Sequence, residues 1–339
     1  MPNPFLPWLN QSVRRFISMK KLISMTGKNL VCPFYHAVCN ESPPHLKYLY
    51  KVRNPQIFEK DLDFFLKNFD PVSLDDFSTT KNLASSGKKK FFLSFDDGLR
   101  EVFEVARPVL LKKGIPATIF FNTAFIDNRD MFYRFKYSLI TDFIKKQKKK
   151  SVVKEAAKFL NLPGSSIKQI IKFLNSIPYE KAALFDILAE KFEINFKQYL
   201  KEEKPYMSSS QIQKMLEEGF SIGSHSIDHP DYMKLSFAEQ IEQTEKSLEI
   251  LIKKFGINYR LFSFPFTDHQ VSDDFFTRIF KKNIADFTFG TAGLKDDHFP
   301  CHIQRIPMEM NHLSADKIIK SEYLNYYLKK QVGKNFVQR

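Results

Sequence analysis

Three cysteines, eleven glycines and one tryptophan in 339 residues remove several classes of protein at once. Cys32, Cys39 and Cys301 are too few, and odd in number, for a disulfide framework, and they lack the paired spacing of a zinc module. A reducing, cytoplasmic setting fits that usage best. No Walker loop and no dinucleotide fingerprint occurs, so the scarce glycines build no phosphate cradle. No run of about twenty apolar residues is present, which excludes a membrane-spanning helix. Phe5 to Leu9 is short, is broken by Pro7 and precedes the nearby basic residues rather than following them. It therefore does not read as a secretory signal, and Arg14-Arg15 leads into no apolar core.

What the chain does have is phenylalanine, 36 of them, within a 43% hydrophobic composition. That suits a large buried core, as one domain bearing an insertion. The net charge is +14, from 52 basic and 38 acidic residues. Part of it lies in runs such as Lys88 to Lys90 and Lys145 to Lys150, which read as solvated faces. Contact with an anionic membrane or glycan comes next, and no nucleic-acid module is visible. Residues 1–29 form a basic extension in which Val13 to Met25 is mildly amphipathic. It reads as a helix packed on the domain, with peripheral contact with an anionic membrane as the other reading.

From Leu30 onward, strand-like and helix-like segments alternate. Leu30 to Val38 is the expected first strand, and Phe58 to Phe69 has helical periodicity. Val72 to Leu74 follows as a short strand. Phe91 to Phe95 and Ala117 to Phe121 are buried strands flanking a helix kinked at Pro108 and stopped at Gly114, a βαβ unit. Residues 128–206 are lysine-dense and read as an insertion. Its helical patterns lie at Phe132 to Phe143, Val152 to Leu160, Ile167 to Leu174 and Lys181 to Phe192, punctuated by Pro163-Gly164 and Pro178. Ser208 to Glu218 and Phe237 to Phe255 are helices, Phe220 to Ser224 and Arg260 to Phe266 strands. Asp274 to Lys282, Phe287 to Phe289 and Ala315 to Leu328 continue the alternation. The expected fold is α/β, with parallel strands and a helical insertion at about 128–206 in a domain spanning 30–339.

Two motifs carry chemistry. Ser94-Phe95-Asp96-Asp97-Gly98 ends a strand on adjacent carboxylates, which repel unless a cation or a shared proton relieves them. An aspartate there also caps the following helix well. Gly223 to Pro230 likewise follows a short strand and supplies His225 and His229. His-x-x-x-His alone is a weak signal, but both motifs sit at strand ends and reach one rim. One carboxylate and two imidazoles make a facial metal set with open positions, which would leave the second aspartate as a base.

These two motifs, in this order and placement, resemble the first two motifs of the polysaccharide deacetylase family, the NodB-homology domain of carbohydrate esterase family four. Leu261 to Phe266 is similar to its third motif, and Tyr35-His36-Ala37-Val38 to its opening strand. The resemblance implies a distorted (β/α) barrel and a metal-dependent hydrolase that removes acetyl groups from N-acetylated sugars, cleaving carbon–nitrogen bonds. It implies Asp96 as general base, and Asp97, His225 and His229 as ligands of a divalent ion, with zinc the expected one. Phe264, Pro265 and Phe266 would line the groove of an N-acetylated glycan substrate.

Three departures stand out. Ser263 occupies the place where some members carry an arginine that orients the base. Thr267 replaces a glycine. No late Leu-x-His motif supplies the acid, for which His269, His298, His302 and His312 are the candidates, while His36 reads as a buried, hydrogen-bonded histidine. A catalytically weak glycan-binding protein and a non-haem iron oxygenase with the same ligand set are the alternatives.

Overall fold

Short apolar runs, buried on both faces and separated by amphipathic helices, leave the chain little choice but a parallel sheet covered by helices. The structure is a computed structural model and describes residues 17–79, 89–147, 150–162, 166–310 and 313–339. The strands are β1 (Leu30–Val31), β2 (Pro33–Tyr35), β3 (Asp70–Pro71), β4 (Lys90–Phe91), β5 (Leu93–Phe95) and β6 (Ala117–Phe121). They continue as β7 (Ser221–Ser224), β8 (Leu261–Ser263), β9 (Phe287–Gly290), β10 (His302–Gln304) and β11 (Ile306–Pro307).

Eight of them make one sheet in the order β10-β9-β8-β7-β6-β5-β2-β11, and every pairing is parallel. The two outer strands are consecutive on the chain, separated by Arg305 alone. The Arg305 N–H donates to the Gly290 carbonyl at 3.2 Å and the Ile306 N–H to the Cys32 carbonyl at 2.8 Å. One run of chain therefore pairs with β9 first and β2 next, and nearly closes the sheet. This is the distorted (β/α) barrel that the family resemblance implies.

The expected strands Leu30 to Val38 and Phe91 to Phe95 are each split in two. Their first halves join β3 in a separate three-stranded sheet, and the chain crosses into the barrel at Cys32 and Phe92. The strand expected at Val72 to Leu74 is instead at Asp70–Pro71, because the Ser73 hydroxyl accepts the Asp76 N–H and starts a helix at Leu74. The kink at Pro108 takes the form of a π turn, Val102–Ala106, running into the helix Arg107–Lys113, since proline offers no N–H to the ladder. Phe237–Phe255 is the expected helix, with a capping box between Ser236 and Glu239 and left-handed Gly256 at its end.

Alternation along the strands sorts the interior. Leu93, Phe95, Ile119 and Ile222 point outward into the main core, which also takes Leu22 and Ile23 of the helix Met19–Thr26 and Ile319 of the helix Ala315–Gln331. Inside the barrel, Phe92 stacks on Phe289 at 5.4 Å between ring centroids, and Phe120 packs against Phe289 at 5.2 Å. Polar residues lie above this aromatic floor. The insertion has its own core, built on Phe135, Ile140, Leu174, Phe185 and Leu188. Its helices include the expected four and one more, Phe196–Glu203. Pro163-Gly164, expected to punctuate them, and residues 1–16 of the extension lie outside the described residues. Among the described residues no helix is long and apolar enough to cross a membrane.

Gly98 shows how tightly the rim is set. It has φ +62, and a Cβ there would overlap the Phe121 ring. Gly98→Ala is expected to cost on the order of 2–4 kcal/mol from left-handed strain plus overpacking. The check is a lowered urea midpoint with unchanged slope, and an unchanged midpoint would contradict this packing.

Candidate active site

Parallel strands put all their C-terminal ends on one rim, so residues far apart in sequence meet there. His36 follows β2, Asp96 and Asp97 follow β5, His225 follows β7, Phe264 to Phe266 follow β8, and Glu309 follows β11. A cavity of about 250 Å³ opens among them, lined by His36, Asp96, Asp97, His225, His229 and Phe266 together with several aromatic neighbours. The backbone is strained at this rim. Asp97, Ser226, His229 and Phe266 all have positive φ, 68°, 72°, 66° and 56°, although none is glycine.

Asp97, His225 and His229 converge. Asp97 Oδ1 lies 3.3 Å from His229 Nε2 and 3.5 Å from His225 Nε2. The Ser263 carbonyl, which can only accept, fixes the proton of His225 on Nδ1 at 2.9 Å and leaves its Nε2 bare. Burial pushes the His225 pKa down to about 4, so this ring is neutral at pH 7. Burial works to raise the pKa of Asp97, but contact with His229 and the charge of His36 outweigh it and hold the carboxyl well below its usual range. Asp97 Oδ1 is fully buried without a hydrogen-bond donor. Such an orphaned oxygen facing two imidazole nitrogens is what a divalent cation satisfies, and the three residues form a group able to hold one.

Asp96 differs in its partners. Arg305 donates to both of its oxygens, Nη1 to Oδ1 at 2.8 Å and Nη2 to Oδ2 at 2.7 Å. The same guanidinium donates to Ser263 Oγ at 2.6 Å and Ser94 Oγ at 3.0 Å, and lies 4.3 Å from the Phe34 ring. Burial would raise the Asp96 pKa, yet Arg305 and, to a lesser degree, His225 keep it lowered, so the carboxylate stays ionised. The arginine absent from the third motif is thus supplied by the strand that closes the barrel, with Ser263 as its hydrogen-bond partner. Sequence reasoning missed Arg305 because the short stretch around it has no strand periodicity; the only signal was a basic residue in a run that also holds Ile303 and Ile306.

His36 was read as a buried, hydrogen-bonded histidine, and it faces the cavity with 26% of its side chain accessible. Its Nδ1 meets Glu309 Oε2 at 2.5 Å, while Glu309 Oε1 accepts the backbone N–H groups of His36 and Ala37, both at 3.0 Å. Burial opposes protonation of His36, but the Glu309 carboxylate beside it prevails and lifts its pKa to about 9. Among the described residues, none of the histidines named as acid candidates reaches this cavity. His302 is buried against Asp268 at 2.9 Å, His298 is exposed and stacks on Phe336, His269 is exposed at the rim of a second cavity, and His312 lies outside the described residues.

The three groove residues separate. Phe266 is 45% exposed and stands 4.5 Å from the His229 ring. Phe264 is fully buried, touching the cavity from its floor while packing on Tyr232 and Phe275. Pro265 is buried and does not line the cavity. From the insertion, Phe132 covers the other side of His229 at 4.3 Å, and Arg134 lines the cavity mouth. The insertion therefore forms a wall of the site as well as a core of its own.

A family model described as polysaccharide deacetylase matches residues 84–279, more than half the chain and both motifs. The chain belongs to the polysaccharide deacetylase family. It is accordingly a carbohydrate deacetylase, a hydrolase of carbon–nitrogen bonds other than peptide bonds. No curated protein matches this deacetylase in sequence. Among solved structures it is similar to a deacetylase of Streptococcus pyogenes in complex with acetate (TM-score 0.54, 15% identity, 86% of this chain and 97% of that one). It is similar also to IcaB of Ammonifex degensii (TM-score 0.54, 15% identity, 88% and 98%) and to a polysaccharide deacetylase of Bacillus cereus (TM-score 0.51, 16% identity, 87% and 68%). These likenesses show the fold.

Removing the guanidinium would strand a buried charge. Arg305→Met is expected to destabilise the fold by about 3–5 kcal/mol at pH 7. Asp96, with its lowered pKa, stabilises the wild type above the unfolded carboxylate range and loses that contribution as pH falls. In the variant the buried carboxyl prefers its proton, so the deficit should shrink toward pH 4 in denaturant titrations. A deficit equal at both pH values would contradict the pairing.

Proposed function

We propose that the deacetylase is metal-dependent and removes N-acetyl groups from an N-acetylated glycan, with Asp97, His225 and His229 as ligands and Asp96 as general base. The observation that carries this reading is the orphaned Asp97 Oδ1 facing the Nε2 atoms of two imidazoles, beside a second aspartate already neutralised by arginine. A divalent ion held there, with zinc the expected one, would polarise the acetyl carbonyl and lower the pKa of a bound water.

The chain's own residues supply the rest. Asp96 accepts a proton from the attacking water as its oxygen adds to the carbonyl carbon. Arg305 and Ser263 fix the carboxylate and keep it ionised, at some cost in basicity. His36 is the acid missing from the sequence reading. Glu309 occupies its Nδ1, which leaves Nε2 to carry a proton to the amine nitrogen as the carbon–nitrogen bond breaks. Acetate and a free amine leave, and solvent returns the Asp96 proton to His36. Phe266 offers an exposed ring for a sugar face.

The weak-binder alternative rested on the absent acid, and His36 removes its motive. The oxygenase alternative rested on the ligand set alone, whereas the family is one of hydrolases. A reducing compartment remains our reading of the three free cysteines.

Two variants test the roles. Asp97→Asn keeps a residue that tolerates the left-handed backbone and should abolish both bound metal and acetate release; release at the wild-type rate would refute the ligand assignment. For His36, kcat/KM should hold through neutral pH and fall as pH rises through about 9, where the acid loses its proton. His36→Gln should lower kcat by about 10²–10⁴-fold and erase that alkaline limb. Persistence of the limb in the variant would assign it to another group.

A further inference from the structure

A second cavity, of about 300 Å³, lies behind the loops that follow β8 and β9. Phe266 and Thr291 face the catalytic pocket, while their chain neighbours Thr267 and Ala292 face this one. The two loops are tied together, Thr291 donating from its N–H to Asp268 Oδ1 at 3.1 Å and from its hydroxyl to the Phe266 carbonyl at 3.3 Å. The cavities thus share a wall one residue thick on the same rim of the barrel.

Lys295, Lys329 and Lys334 line the second cavity. Among the described residues no carboxylate comes within ion-pair distance of their ammonium groups. Nearby lysines are matched: Lys28 pairs with Asp296, and Lys320 with Asp316 at 3.0 Å. Among the described residues, Asp268 lines the cavity as its one carboxylate, with Glu322 nearby, and both accept hydrogen bonds from other groups. Asp268 accepts from His302 at 2.9 Å, Gln304 at 2.7 Å and the Thr291 N–H, and Glu322 accepts the Leu294 N–H at 2.8 Å. Lys295 is partly buried, and burial together with the neighbouring Lys329 charge lowers its pKa against the opposing charges of Asp268 and Glu322. Three ammonium groups against one lining carboxylate leave an excess of positive charge on a concave surface, and such a field attracts an anion.

We propose that this cavity is a subsite for an anionic group, a phosphate or carboxylate, carried by the same glycan whose acetyl group enters the catalytic pocket. The substrate class is then an anionic N-acetylated glycan, and the net charge of +14 favours its approach. Ammonium groups recognise either anion as point charges, so the chemistry is shared and experiment separates the sources. The proposal rests on the deacetylase reading of the neighbouring pocket.

The test uses the full chain and the double variant Lys295→Gln/Lys329→Gln, with Lys334→Gln as a second change at an exposed lining residue. In one arm, inorganic phosphate, pyrophosphate and glucuronate are titrated calorimetrically at low and at physiological salt. At least one should bind the wild type, and bind the double variant about tenfold more weakly or worse, with the difference shrinking as salt rises. Preference for phosphate or glucuronate identifies the group. In the other arm, acetate release is measured on a neutral N-acetylated oligosaccharide and on the same oligosaccharide bearing a phosphate or uronic acid. The double variant should raise KM for the charged substrate by about tenfold with kcat retained, and leave the neutral one within about twofold. Absence of anion binding by the wild type, or an equal change for both substrates, overturns the subsite. Anion binding without acetate release from any glycan would sink the deacetylase reading while leaving an anion site in place.

Discussion

Asp96 is a buried carboxylate, and a buried charge persists only with a partner that neutralises it and fills its lone pairs. Arg305 does both, from the single position between β10 and β11 at which the chain passes from one edge of the sheet to the other. Closing the barrel and charging the site are therefore one structural event. The guanidinium also reaches Ser94 on β5 and Ser263 on β8, so one side chain ties together the closing strand, the strand of the aspartates and the strand of the third motif. Its flat face rests against Phe34 and Phe120, above the aromatic floor.

From that anchor the two adjacent aspartates acquire different characters. Asp96 is locked by arginine. Asp97, in left-handed backbone, turns an unpartnered oxygen toward two imidazoles. The strained residues at this rim are held by what surrounds them. The Ser226 hydroxyl accepts the His229 N–H at 3.0 Å, and the His229 ring is clamped between Phe132 from the insertion and Phe266 from the β8 loop. The insertion thus contributes to the site through packing, while most of its described lysines face solvent.

The elements best legible in the sequence were those whose stop signals are local. Phe237 to Phe255 has a capping box and a closing glycine, and Ala117 to Phe121 is a fully buried strand bounded by turn residues. The metal-type triad was legible as well, because each motif ends a strand and parallel strands share one rim. What escaped depends on tertiary pairing. β10 and β11 are three and two residues long, their strand character coming from β9 and β2 rather than from their own composition. With them went Arg305 and Glu309, and without Glu309 nothing distinguished His36 from an ordinary core histidine. Phe264, Pro265 and Phe266 read alike as groove residues, yet only Phe266 is exposed there, because strand alternation and the turn after β8 send neighbours in opposite directions.

The account turns on a cation completing the Asp97 group and enabling amide hydrolysis. The most direct measurement is acetate release from N-acetylated oligosaccharides by protein stripped with chelator and then resupplied with divalent metal in increments. The account predicts no release after stripping and recovery that saturates at one metal per chain. Undiminished release from stripped protein, at undetectable bound metal, would contradict it.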